Sequence, residues 1–372
     1  MRANTKTRGK IAVLCAVIFL GAGVPAFSQS QPIPDVGELT VAMDAFAASM
    51  ALALPFNASM GLNWSDAYIG RLFPSRRPHF GFGVVAGATT MDISPIDNLL
   101  NLFGSYLPDD VLDMGIGLPI PGAMAEIRLG GLFRPFDIGF KIGMVPDAVI
   151  AMLDDMTGDA LTLDYFIIGG DFRYALVEAG RIIPAISLGV GFTHMRGGIS
   201  VDVGDIPIGF TIPGHALGIP DLSGIPDLPG YFPGTLTIHN PQMGLEWSTN
   251  VIDMKLHVSR PLFIITPYVG LGVSHGWSRV SYGAGVARVS ASVEAPGQTV
   301  NMDIDDVADI FSAAGIDVTE TSFSSEVGIN GWGFRAFGGV SLNLAVFRLD
   351  FTGMYNFRDG NFGATVGFRF QL

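Results

Sequence analysis

The sequence has almost no cysteine, is short of basic charge, and carries no long apolar run beyond its N-terminus. Cys15 is the only cysteine. It lies inside the N-terminal apolar run, away from the expected cleavage point, which argues against a lipid-anchored start. A chain cut after that run has no thiol, so disulfides, cysteine-zinc sites and cysteine nucleophiles are excluded together. Bases number 21 against 34 acids. Arg2, Lys6, Arg8 and Lys10 sit in the segment expected to be removed, which leaves 17 bases. Nothing here resembles a basic nucleic-acid footprint, and the acids are too dispersed for a binding tail. Charged residues make up only 15% and hydrophobic residues 49%, with a mean hydropathy of +0.43. Past the N-terminus no stretch reaches the ~18 uninterrupted apolar residues of a spanning helix. High hydrophobicity without helical spans fits either an unusually apolar soluble β protein or a transmembrane barrel, whose strands face lipid with every second residue. The 49 glycines favour the barrel, because small lumen-facing residues let a plug approach the wall.

Signs of catalysis or cofactor binding are also missing. His79, His194, His215, His239, His257 and His275 are scattered, and none has a metal-binding spacing. Asp303, Asp305, Asp306 and Asp309 form the one compact acid cluster, without the glycine and terminal Glu of a calcium loop. It reads as a solvated loop running into a short helix over Val307–Ala314. Gly189, Gly191, Gly270 and Gly272 fall within expected strands and read as lumen-facing small residues, not as a phosphate cradle. The expectation is therefore no enzyme, no cofactor and no metal.

The N-terminus resembles an export signal. A basic head precedes the apolar run Ile11 to Val24, and Ala26-Phe27-Ser28 offers small residues before a cut. Three units are expected: a signal peptide over 1–28, an N-terminal helical plug segment over 29–73, and a transmembrane barrel over 74–372.

The last strand is the clearest. Phe362, Ala364, Val366, Phe368, Phe370 and Leu372 alternate with Gly363, Thr365, Gly367, Arg369 and Gln371, and a strand has period two. The same pattern marks Phe80–Ala88, Ala123–Phe133, Phe136–Met144, Leu161–Ala175, Pro184–Thr193, Trp247–Ser259, Tyr268–Val280, Trp332–Leu344 and Val346–Phe357. Arg358-Asp359-Gly360-Asn361 is the final hairpin turn. Ten strands are expected, with room for up to fourteen if a long loop such as 285–296 hides a hairpin. Short connections (133–136, 177–181, 260–263, 344–345) alternate with long ones (92–120, 145–160, 196–240, 284–328). That is the asymmetry of periplasmic turns and extracellular loops, and it puts the C-terminus on the periplasmic side of the cell outer membrane.

Two segments break the pattern. Leu39 to Leu54 is rich in Ala, Met and Leu, which favour helix, with Pro55 expected to end it. Leu39, Met43, Phe46, Met50 and Leu54 are its candidate plug residues, and a helix lying on the periplasmic membrane surface is the other placement. Asn57 to Phe73 reads as more plug or a further strand. Ile206 to Gly234 holds the near-repeat Gly218-Ile219-Pro220-Asp221-Leu222 and Gly224-Ile225-Pro226-Asp227-Leu228. Its prolines are expected to block regular pairing, leaving a packed lid or an apolar cap.

The lumen face carries mixed charges. Glu126 with Arg128, Asp137 with Lys141, Asp171 with Arg173, Asp253 with Lys255, and Arg348 with Asp350 lie an even number of residues apart and share a face. Each pair is expected to neutralise within the barrel. Mixed signs suit a plugged or narrow lumen better than an ion-selective pore.

The greasy segment 39–54, the stretch Asn63-Trp64-Ser65-Asp66-Ala67-Tyr68-Ile69-Gly70, and Gly117-Leu118-Pro119-Ile120-Pro121 leading into Ala125-Glu126-Ile127-Arg128 resemble the bacterial long-chain fatty acid transporter family. The layout is equally similar to that of other outer-membrane barrels. The resemblance implies an N-terminal hatch inside a barrel and passage of small hydrophobic molecules. The family's barrel has more strands than the ten counted here, and its Asn-Pro-Ala hatch motif is absent, so no ligand residue is carried over. The expected partners are outer-membrane lipid, the barrel insertion machinery and hydrophobic small molecules. A surface-exposed structural or adhesive barrel, binding through its long loops, is the alternative function.

Overall fold

The computed structural model describes residues 36–69, 79–92, 94–95, 117–131, 135–145, 150, 161–180, 182–202, 206–213, 231–239, 242–285, 288–295, 298–302 and 322–372. Helix α1 (Val36–Ala58) precedes the strands β1 (Phe80–Met91), β2 (Leu118–Gly130), β3 (Phe136–Met144), β4 (Leu161–Val177), β5 (Ala185–Asp202), β6 (Ile206–Pro213) and β7 (Tyr231–His239). Then follow β8 (Gln242–Ser259), β9 (Ile265–Gly285), β10 (Arg288–Ala295), β11 (Gln298–Met302), β12 (Ser322–Leu344), β13 (Phe347–Asn356) and β14 (Phe362–Gln371). Ten of these strands close an antiparallel barrel in the order β1-β14-β13-β12-β9-β8-β5-β4-β3-β2. They are the ten segments read from alternation. Closure leaves the sheet without the unpaired edges that an open sheet must protect.

The wall has the two faces its sequence demands. On β14, Phe362, Val366 and Phe368 are 49%, 50% and 51% exposed while Thr365 and Arg369 are buried. Phe82, Phe140, Ile142, Phe172, Val190 and Leu271 continue the exposed apolar band around the barrel. A continuous band of outward Phe, Val, Ile and Leu has no place in water, and it is what a lipid-facing wall requires. This is a transmembrane barrel of the outer-membrane type.

The wall is uneven in height. β4, β5, β8, β9 and β12 run 17 to 23 residues, whereas β1, β2, β3, β13 and β14 run 9 to 13. From the tall side rise two insertions, which pair into a separate sheet in the order β11-β10-β7-β6. So the room left for a hidden hairpin near 285–296 is taken up by β10 and β11, but outside the barrel.

The expectation for Ile206 to Gly234 needs correcting, because β6 and the start of β7 form paired strands there. Pro207 and Pro213 lie on β6, an edge strand of that sheet. Pro233 pairs with Thr211 but lies just outside the β7–β10 ladder, which starts at Gly234. Proline is tolerated where no ladder needs its missing N–H. The near-repeat over 218–228, the acid cluster at Asp303 to Asp309 and the expected helix over Val307–Ala314 all lie outside the described residues.

Helix α1 lies inside the barrel, packed chiefly on β9 and β12 and then on β1 and β8. Its stretch Val41–Ala58 is long and apolar enough to cross a bilayer. Its second half is enclosed by the lumen, where burial on every side calls for apolar residues all round. Ala47, Met50, Ala51, Leu54 and Phe56 are buried, and Met43 and Phe46 pack against that cluster. Leu39 belongs to the helix, but its side chain lies outside the described set. Pro55 does not end the helix, which continues to Ala58. The wall makes room for the ring: a Cβ on Gly276 would stand 2.5 Å from Pro55 Cγ.

Candidate functional site

Below α1, residues 59–69 run through the lumen without regular structure, in a turn where Gly61 and Leu62 both take positive φ, 80° and 54°. This segment is neither strand nor helix, so its backbone groups need partners in a buried place. The lumen-facing charges supply them. Lys141 donates to the carbonyls of Ala58 and Met60 at 2.7 and 2.6 Å, a cation on the orphan carbonyls of the helix C-terminus. Glu126 accepts from the Leu62 amide and from Trp64 Nε1. Arg128 and Lys255 both donate to the Leu62 carbonyl, at 3.2 and 3.0 Å. Arg173 reaches the Asp66 carbonyl at 2.8 Å. Asp137 accepts from the Ile69 amide at 2.7 Å, and Ser187 and Ser259 hold the two backbone groups of Ala67.

The same charges also bind one another, but not in the pairs expected from the sequence. Arg128 pairs with Asp137 and Asp171, Arg173 with Asp137, and Lys255 with Asp171 at 2.8 Å. Asp253 pairs with Arg335 at 2.9 Å, and Asp350 with Arg369 at 2.6 Å. Arg348 turns to Asp66 at 3.2 Å. These residues share the lumen, yet the ion pairs form across strands or with Asp66, while Glu126 and Lys141 bind residues 58–64. Neighbours on adjacent strands stand about 5 Å apart, nearer than residues two apart on one strand. Gly139 on β3 keeps the crossing open, since a Cβ there would meet the Arg128 guanidinium and Asp171.

Sequence reasoning missed Trp64, Asp66, Arg335 and Arg369 as members of this layer. Trp64 meets two guanidiniums, with Arg369 4.5 Å and Arg128 5.5 Å from its ring centroid, a double cation–π arrangement. It passes so close to the wall that Gly81 has no room for a Cβ, which would stand 2.7 Å from the ring. Asp66 is buried, which would raise its pKa, but Arg369 and Arg348 outweigh burial and hold the carboxyl below its ordinary value. The one available signal was Trp64 and Asp66 standing two residues apart in a segment otherwise poor in charge.

Around α1 itself the contacts are different. Among the described residues few polar ties hold it: Asp44 accepts from Tyr282 and Ser325 at 2.7 and 3.2 Å, Ser49 donates to the Asp92 carbonyl at 3.4 Å, and Asn57 donates to Thr89 and to the Ile120 carbonyl, both at 2.9 Å. A narrow cleft of about 20 Å³, room for about one water molecule, runs beside the helix. Ala51, Leu52, Pro55 and Phe56 form one side, and Gly276, Ile329 and Gly331 the other. It opens where the short β13–β14 hairpin turns at Arg358 and Asp359. There β12 rises past its last partner on that hairpin, because the β12–β13 ladder stops at Arg335. Among the described residues no three His, Cys, Asp or Glu side chains gather as a metal site.

Three solved structures are distantly similar to this chain. The attachment invasion locus protein Ail of Yersinia pestis is 10% identical, with 79% of this chain and 97% of that chain covered and a TM-score of 0.25. The translocator domain of the autotransporter NalP from Neisseria meningitidis is 8% identical, covering 90% and 97%, with a TM-score of 0.26. A Pseudomonas aeruginosa FadL homologue is 10% identical, covering 83% and 97%, with a TM-score of 0.24. Likeness at this level does not bear on function, and membrane spanning rests on the two faces of the wall itself. No curated protein matches the sequence. One sequence family matches residues 175–372, from the end of β4 through β14. The chain belongs to that family, DUF6588, a family of unknown function.

Proposed function

We propose that the protein is an outer-membrane barrel that takes up small hydrophobic molecules passively, with α1 as the movable part of a two-part closure. One observation carries this reading: the lumen charges bind the backbone of residues 59–69, while the apolar helix above them is held by few polar ties and borders a cleft. Segment 59–69 then acts as the fixed anchor. The expected export signal supports the outer membrane, and the four-stranded sheet on the long-connection rim supports a periplasmic position for the short turns. Lipid around the wall and delivery by the barrel insertion machinery belong to the same reading, as does the absence of catalysis.

Deleting 39–54 tests the closure. The deleted barrel should show higher planar-bilayer conductance and faster uptake of a labelled fatty acid in a heterologous outer membrane. Unchanged values for both would remove the helix from any gating role. The sheet of β6, β7, β10 and β11 favours the second reading, surface adhesion. Replacing residues 206–239 and 288–302 with short turns should leave uptake intact; loss of cell-surface attachment without loss of uptake would favour adhesion.

A further inference from the structure

Among the described residues the ten barrel strands carry nine arginines and lysines, and seven of them point into the lumen. Arg196 on β5 and Arg279 on β9 are the two that point out. The ladders put them in one cross-strand row, Phe166–Arg196–Ser248–Arg279. They are two strands apart, about 10 Å by sheet spacing, with a hydroxyl between them.

The rows beneath show where this one lies. Phe172, Val190, Met254 and Phe334 are exposed and apolar. One step up come Phe192, Ile252 and Trp332, and next His194, Asn250 and Trp277. His275 packs between Trp277 and Trp332, with ring centroids 4.5 and 4.8 Å away. Tryptophan and histidine over an apolar band mark the headgroup level of a barrel. The two arginines stand just above it.

Both guanidiniums are available there. Arg196 lies over the Phe166 ring at 5.5 Å, which fixes it against the wall without using its donors. Arg279 is 67% exposed and meets Glu326 through Nε alone, at 3.2 Å. A further step outward the face turns acidic, with Asp164, Glu246 and Glu326 exposed. In a chain of net charge −13, two outward arginines limited to the headgroup level are complementary to anions at that level. Planar guanidiniums suit phosphate oxygens.

We infer that Arg196 and Arg279, with Ser248 between them, bind the phosphates of an outer-leaflet glycolipid headgroup. This rests on the orientation given above, with the short turns in the periplasm, and is independent of what passes through the lumen.

Native mass spectrometry and thermal shift on the purified full-length barrel in detergent micelles test it, with diphosphoryl lipid A, phosphatidylcholine and inorganic phosphate as probes. The expected result is retention of lipid A with a raised melting transition, little effect of phosphatidylcholine, and no displacement of lipid A by inorganic phosphate. Arg196→Gln with Arg279→Gln should weaken lipid A binding about tenfold, as loss of two exposed charge-assisted contacts implies. Arg260→Gln, at the opposite rim, should leave binding unchanged. Both arginines are exposed, so the double variant should fold, as its heat-modifiable gel mobility will show. Equal lipid A binding by wild type and double variant, equal affinity for phosphatidylcholine, or displacement by inorganic phosphate would each overturn the inference. Fatty acid uptake by the double variant should remain normal, which separates this test from that of the proposed function.

Discussion

Trp64 ties the 59–69 segment to the wall through a hydrogen bond to Glu126 and two guanidinium contacts. Trp64→Ala would leave a cavity, an unpaired Glu126 oxygen and two arginines facing empty space. Large-to-small changes of this kind cost about 3–5 kcal/mol, so the urea midpoint of the barrel should fall clearly while strand content in circular dichroism stays. Asp66 adds a pH dependence with a definite sign. Its folded pKa lies below the ordinary value of 3.8, so its contribution is complete above that value and is lost as pH falls through the lower folded one. Unfolding midpoints should therefore be flat across this carboxyl's range above about pH 5 and decline below pH 4. The Asp66→Asn variant should be less stable at neutral pH and should decline less steeply in acid. An Asp66→Asn curve parallel to that of wild type would show that the Arg369 and Arg348 contacts have no such role.

Elements were legible where a local rule decides them. Period-two alternation located all ten barrel strands, because each strand of a barrel must present one face to lipid and one to the lumen. Pairing among the lumen charges was not legible. It depends on the register between strands, such as Asp137 opposite Arg173, and no single strand records it. The proline-rich strands were missed for a related reason. Whether Pro207 breaks a ladder depends on β6 lying at a sheet edge, which is a property of the assembled sheet. The helix end was misread at Pro55 because the surface that accommodates the ring, Gly276, comes from a distant strand. That contact makes a prediction at this scale. Gly276→Val should displace α1 without disturbing the wall, raising single-channel conductance while heat-modifiable mobility on gels is retained. Conductance equal to wild type would show that the helix tolerates the larger side chain without moving.

At the scale of the whole molecule, the chain is a barrel with a tall side and a low side, with its own N-terminal segment packed in the lumen. Chain composition foretold the barrel: few charges, abundant glycine and no uninterrupted apolar run of spanning length beyond the N-terminus. It could not foretell that the lumen charges would be divided between one another and the backbone of residues 59–69. On the proposed function, α1 moves and the segment below it does not. Pro55 and Gly276 provide the test, since Pro55 Cβ stands 2.7 Å from where a Gly276 Cβ would be, near enough to the ~3.8 Å of a disulfide for a small adjustment to suffice. In a Cys15→Ser background, Pro55→Cys with Gly276→Cys would tie the helix to the wall. Labelled fatty acid uptake into cells carrying this variant should be blocked when oxidised and restored on reduction. Equal uptake in the two redox states, with the cross-link verified, would contradict the account.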